Sequence, residues 1–204
     1  MAKTVLYIFT VSLVVLNLSL IYRYDKLKQA STLIADEYGH VLVKEKRVSN
    51  KMKKYSIFQQ AMEGYKIPEI IIKNEEKDSL SFSSLFCDYT NPVLCFRFKD
   101  THCDACIQHA IRMLNSISPK ISHQIIVLSG YTNFRQFKAF ESSQRGKLKT
   151  YNIEDISCWD IDNIEQSYFF ILKDGKIHNV FIPLKEDDNY TQDYINTLIH
   201  KYWE

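Results

Sequence analysis

At 204 residues the chain is long enough for one ordinary domain and an accessory segment. Thirteen tyrosines and twelve phenylalanines against five glycines and four prolines exclude a disordered polymer. A net charge of +2 gives no basis for binding nucleic acid.

Thr4 to Tyr22 carries no charged residue, about the length that crosses ~30 Å of hydrocarbon as a helix. Lys3 supplies the positive start of a secretory signal. The run ends, however, in Asn17-Leu18-Ser19-Leu20-Ile21-Tyr22-Arg23, with no small-x-small cleavage site and no following cysteine for lipid attachment. An uncleaved single-pass anchor is therefore expected within residues 1–24, inserted through residues 4–22, at a bacterial-type inner membrane. Arg23, Lys26 and Lys28 beyond the run outnumber Lys3 before it, which favours a cytoplasmic C-terminal part. A tethered dithiol has its plainest use in an oxidising compartment, so the periplasmic side is expected.

Residues 25–64 are mostly charged and free of proline, which predicts a helical stalk. Leu27, Ile34, Val41, Val48, Tyr55 and Met62 recur every seven residues, as one seam of a coiled coil would. The companion seam is mixed, with Ala30, Glu37, Lys44, Lys51 and Phe58 at one offset or Ser31, Tyr38, Glu45, Met52 and Gln59 at the other. Gly39 interrupts the segment. A zipper needs both seams, so a solvated spacer packing partly on the domain is expected, with dimerisation through this segment as the second reading. Lys44, Lys46, Arg47, Lys51, Lys53 and Lys54 read as a wet helix face, the other reading being a run lying against anionic head groups.

The remainder, 65–204, alternates strand and helix patterns. Ile67 to Lys73 and Leu80-Ser81-Phe82 are short β-rich runs, followed by a turn at Ser83 and Ser84. Pro92 to Phe98 is nearly all apolar, as in the middle of a sheet. Cys103-Asp104-Ala105-Cys106 then opens a helix with Ile107, Ala110, Ile111 and Leu114 on one face, ended by Pro119. Gln124 to Leu128 completes a βαβ unit. Phe134, Phe137 and Phe140 mark a second helix to about Ser143, and Lys147 to Ile153 a short strand. Ser167–Leu172 and Lys176–Ile182 flank Lys173-Asp174-Gly175, a hairpin signal. An amphipathic helix with Tyr194, Leu198, Ile199 and Tyr202 closes the chain.

Two cysteines in the first turn of a helix are close enough to form a disulfide. Their sulfurs lie where orphan N–H groups and the helix dipole favour a thiolate. The strand, the Cys-x-x-Cys helix start, the βαβ unit and the Lys-Asp-Gly hairpin together resemble the thioredoxin fold. The two short leading strands resemble its redoxin branch, which includes the membrane-anchored TlpA/ResA-like thiol–disulfide oxidoreductases. The fold class expected is thus α/β, a mixed sheet flanked by helices.

The resemblance implies that Cys103 is the nucleophile and Cys106 the resolving thiol, with protein thiols and disulfides as partners and a membrane electron donor or thiol-reducing partner in support. No cofactor is implied. Three positions depart from the family pattern. His102 stands where the family usually has Trp, either supporting a thiolate near neutral pH or as an exposed loop residue. Arg97 stands where the family has a buried Asp or a neutral residue, either lowering a thiol pKa or pointing to the surface of an alternating strand. Ser167 falls at the family's cis-proline position; a trans Gln166–Ser167 bond and an altered groove are expected, because a non-proline cis bond costs ~2.5–4 kcal/mol. Asp104 opposes a thiolate at Cys103.

Two other readings share these residues. One is a metal site built from His102, Cys103, Cys106 and His109, and the other a non-catalytic thioredoxin-like scaffold. Cys95 reads as a small core residue, while Cys87 and Cys158 can pair or stay free. His40, His123, His178 and His200 are scattered.

Overall fold

The computed structural model describes residues 2–85, 91–121, 124–144, 148–153, 162, 164–183 and 188–204; the side chains at 2–8, 10, 120 and 188 are not described. Cys87, Cys158 and His123 lie outside the described residues. The chain divides into two compact units, Met1–Lys54 and Tyr55–Glu204.

The first unit is a single run of helix, part of α1 (Ala2–Met62). Two of its polar side chains bond their own backbone: Asn17 Nδ2 donates to the Leu13 carbonyl at 2.8 Å and Thr32 Oγ1 to that of Lys28 at 2.9 Å. Among the described residues no helix is long and apolar enough to cross a membrane. The spanning segment expected over 4–22 is thus not confirmed, and the side chains at 4–8 and 10 within it lie outside those described.

The second unit takes in the last two turns of α1. Tyr55, Phe58 and Met62, three and four residues apart, form one buried stripe. The helix stops at Gly64, whose φ of 75° ends it as a left-handed cap, and the Gly64 N–H bonds the Ile177 carbonyl at 2.8 Å. Gln59 Nε2 donates to the Val180 carbonyl at 2.9 Å, and Glu63 receives the Asn179 N–H at 2.8 Å. The helix end is therefore tied to the strand it covers.

Seven strands follow the expected alternation: β1 (Ile71–Lys73), β2 (Ser79–Ser81), β3 (Val93–Arg97), β4 (Ile125–Ser129), β5 (Lys149–Asn152), β6 (Tyr168–Lys173) and β7 (Lys176–Phe181). They form one sheet in the order β2-β1-β5-β4-β3-β6-β7, parallel only across β3–β4 and β4–β5. The apolar strands β3 and β4 lie inside the sheet and every residue in them is buried. The remaining helices are α2 (Asp104–Ile121), α3 (Phe134–Gln144) and α4 (Asp188–Tyr202).

Strand alternation sends side chains to two cores. Leu94 and Phe96 join the buried faces of α2 and α4, whereas Val93 and Cys95 join Phe58 and Met62 from the end of α1. Pro119 does not end α2, which continues to Ile121. Its fixed φ is compatible with helix, and the intrahelical bond that its missing N–H denies to the Asn115 carbonyl is a loss confined to the last turn.

Candidate active site

β3 delivers the chain to a loop fastened on both sides. The Phe98 N–H bonds the Leu128 carbonyl at 3.1 Å and the Asp100 N–H bonds that of Gly130 at 3.2 Å. Thr132 donates its hydroxyl and its N–H to Asp100 Oδ2 at 2.6 and 3.2 Å, bonds that hold the Asp100 carboxyl below its ordinary range. A turn closes the loop, with the His102 N–H on the Lys99 carbonyl at 3.0 Å.

Cys103 comes next, at the N-cap of α2. Its carbonyl receives the N–H groups of Cys106 and Ile107, each at 3.1 Å. Its side chain is exposed, that of Cys106 is half-buried, and neither is in a disulfide. Asp104, exposed in the first turn, complements the helix dipole. Cys103 thus stands exposed at the helix start and Cys106 half-buried in the first turn. Cys95, completely buried, has its thiol pushed far up by burial and is a core residue.

His102 is not an exposed loop residue. It is 8% exposed, and its Nδ1 accepts the Lys99 N–H at 3.2 Å. Burial and the charges of Lys99 and Arg97 push its pKa down to about 4, so the imidazole is neutral at physiological pH rather than a proton shuttle near pH 7. Among the described residues no three His, Cys, Asp or Glu side chains are grouped so as to hold a metal ion. His102 is turned onto its own loop while Cys103 faces outward.

Arg97 does not point to the surface. Its side chain is fully buried, and Nε and Nη2 donate to Asp162 Oδ2 at 3.0 and 2.8 Å. Nη1 donates to the carbonyls of Phe98 at 2.9 Å and Leu128 at 3.3 Å. The other oxygen of Asp162 accepts the Tyr168 hydroxyl at 3.0 Å. Burial and the Asp162 charge push that phenol well above its usual range, which keeps it a donor. Lys99 reaches the same carboxylate at 3.6 Å and also bonds the Asp162 carbonyl. Gly130 makes room: a Cβ there would lie 3.0 Å from both Nη atoms.

Ser167 is buried, and no cis peptide bond occurs among the described residues, so the Gln166–Ser167 bond is trans as expected. Arg97 pairs with Tyr168 across the β3–β6 ladder, so position 167 lies one step on, at the sheet end where the dithiol loop begins. Sequence reading did not single out Asp162, Tyr168, Gly130 or Asn152. Asn152 is fully buried and fastens the turn after β4, accepting from Ser129 Oγ at 3.0 Å and the Tyr131 N–H at 2.8 Å while donating to the Tyr131 carbonyl at 2.9 Å. The available signal was Arg97 itself, because a cation inside an apolar strand requires a buried acceptor.

No family model matches the sequence, and no curated protein is significantly similar to it. Solved structures are similar in fold. A candidate thiol-disulfide oxidoreductase from Bacteroides vulgatus superposes with a TM-score of 0.50 at 18% identity, over 69% of this chain and 96% of that one. A candidate protein disulfide isomerase from Bacteroides thetaiotaomicron gives 0.50 at 16% identity, over 67% and 88%. A candidate thiol:disulfide interchange protein DsbE from Chlorobium tepidum gives 0.50 at 12% identity, over 66% and 96%. The second unit thus has the thioredoxin-like fold that the cysteine pair and the hairpin implied.

Proposed function

We propose that this chain is a thiol–disulfide oxidoreductase acting on protein thiols and disulfides through Cys103 and Cys106. The observation that carries the reading is an exposed Cys103 at the N-cap of α2 with Cys106 three residues on, directly after the buried strand β3. The Cys103 thiolate attacks one sulfur of a substrate disulfide; that S–S bond breaks, a mixed disulfide forms, and the departing thiolate takes up a proton. The Cys106 thiol then loses its proton and attacks the Cys103 sulfur. The Cys103–Cys106 disulfide forms, and the second substrate sulfur leaves as a thiol. Two electrons pass to the substrate, and the reverse sequence oxidises a dithiol.

The uncharged run 4–22 supports anchoring in a bacterial inner membrane; the flanking Lys and Arg favour a cytoplasmic second unit, and the use of a tethered dithiol in an oxidising compartment supports the periplasmic side over it. A membrane thiol-reducing partner there would return the pair to the dithiol form. Replacing Asp104 by Asn tests the local charge: the Cys103 pKa falls if the carboxylate opposes the thiolate, and an unchanged value removes that role.

Redox titration of the full chain in detergent, with thiol counting and a metal assay on the same sample, tests the main reading. A two-electron couple that disappears in Cys103→Ser, together with lost disulfide exchange, supports it. Exchange that survives in Cys103→Ser rejects it. A variant that keeps its biological function without exchange favours the scaffold reading instead.

A further inference from the structure

Leu27, Ile34, Val41 and Val48 follow one another at seven-residue intervals along α1 and are 73, 68, 55 and 52% exposed. The same row runs on to Tyr55 and Met62, which are 6 and 0% exposed in the second unit. Leu27, Ile34, Val41 and Val48 are therefore bare in the first unit, while Tyr55 and Met62 are buried within the second. A period of seven drifts by ~20° per repeat on a straight helix. It holds to one face only where the helix supercoils about a partner with the same period. Among the described residues α2, α3 and α4 run to 18, 11 and 15 residues, and their buried residues face the second unit's own interior.

We propose that the partner is a second copy of this chain, the two α1 helices pairing in parallel as a left-handed coiled coil, with Leu27, Ile34, Val41 and Val48 at the d positions. The a positions then include Tyr38 and Met52, 64 and 42% exposed large apolar side chains that also lack cover. They include Glu45 as well, the charged residue that makes this seam poor by sequence. In a parallel pair an a side chain enters a hole whose rim includes the preceding g residue opposite. The layer sets Glu45 opposite Glu45 of the partner subunit, a like charge that Lys44 of the partner subunit, at the preceding g position, offsets. Gly39 falls at a b position and faces open space, so it costs helix propensity without breaking the seam. The parallel direction agrees with two anchors entering one membrane from the same side. The inference does not depend on the redox reading.

The full chain in detergent tests it, by light scattering and by a photo-crosslinking residue placed at Val41, Val48 or Asn50. The expected result is two copies per particle, with homodimeric cross-links from 41 and 48 but not from 50, which lies on the outer face. Val41→Asp with Val48→Asp is expected to give one copy with the near-ultraviolet circular dichroism of the second unit unchanged. Glu45→Leu is expected to tighten the dimer about tenfold. A single copy at every concentration, equal cross-linking from Asn50, or cross-links to a different protein in cells would each overturn the proposal. If the aspartate variant fails to fold, the cross-link pattern of the otherwise native chain decides.

Discussion

Arg97 and Asp162 meet as a fully buried ion pair at 2.8 Å, 65 residues apart in sequence. The pair lies at the end of β3, where the chain turns toward the dithiol. Desolvation of both charges is offset by their mutual attraction, by the two carbonyls facing Nη1 and by the Tyr168 hydroxyl. Arg97→Met leaves a buried carboxylate and Asp162→Leu a buried guanidinium, so each single change is expected to cost about 3–5 kcal/mol. The double variant should recover much of that loss. Urea unfolding of the full chain measures all three, and additive losses would show that the two residues do not act as a pair.

Gly130 is the space into which the guanidinium fits. Gly130→Ala puts a methyl group 3.0 Å from both Nη atoms, and a packed site of this kind loses about 1–3 kcal/mol on overfilling. The loss should shrink sharply in an Arg97→Met background. An equal loss in both backgrounds would place the strain elsewhere.

The depressed pKa of His102 makes stability depend on pH in one direction. Its folded value of about 4 lies below the ordinary 6.5, so the unfolded chain binds the proton more readily. The contribution is complete above pH ~6.5 and is lost as the pH falls from there toward 4. His102→Asn retains an acceptor for the Lys99 N–H and should flatten stability across that window. An imidazole titrating near 6.5 by NMR would contradict the burial argument.

The three described cysteines should separate by rate toward iodoacetamide. Cys103 is exposed, Cys106 is half-buried, and Cys95 is buried with its thiol pushed up. Peptide mass mapping of the native reduced chain is expected to find Cys103 modified first and Cys95 only after denaturation. Prior labelling of Cys95 would refute the core assignment.

The hydroxyl of Tyr168 donates to an ionised acceptor, and hydrogen bonds of that kind contribute about 1.5–3 kcal/mol. Tyr168→Phe should cost that much in urea unfolding while leaving the ring contact with Phe58, at 5.2 Å between centroids, in place. A loss below about 0.5 kcal/mol would mean that the Asp162 carboxylate is satisfied without the phenol.

What the sequence by itself determined is local. Periodicity and turn chemistry settled the order of strands and helices, because an apolar run such as Ile125–Leu128 and an Asp174-Gly175 turn each carry their own signal. The helix start at Cys103 was legible for the same reason, since the cysteine spacing and the apolar face that follows lie in one short stretch. Tertiary structure alone decided what surrounds them. Whether Arg97 met water or a carboxylate depended on Asp162, which the fold brings from a distant segment, and the neutral state of His102 depended first on its burial in the folded chain, with the Lys99 and Arg97 charges added to it. Desolvation and charge pairing are properties of packed space, and residues distant along the chain acquire them only when the sheet brings them together.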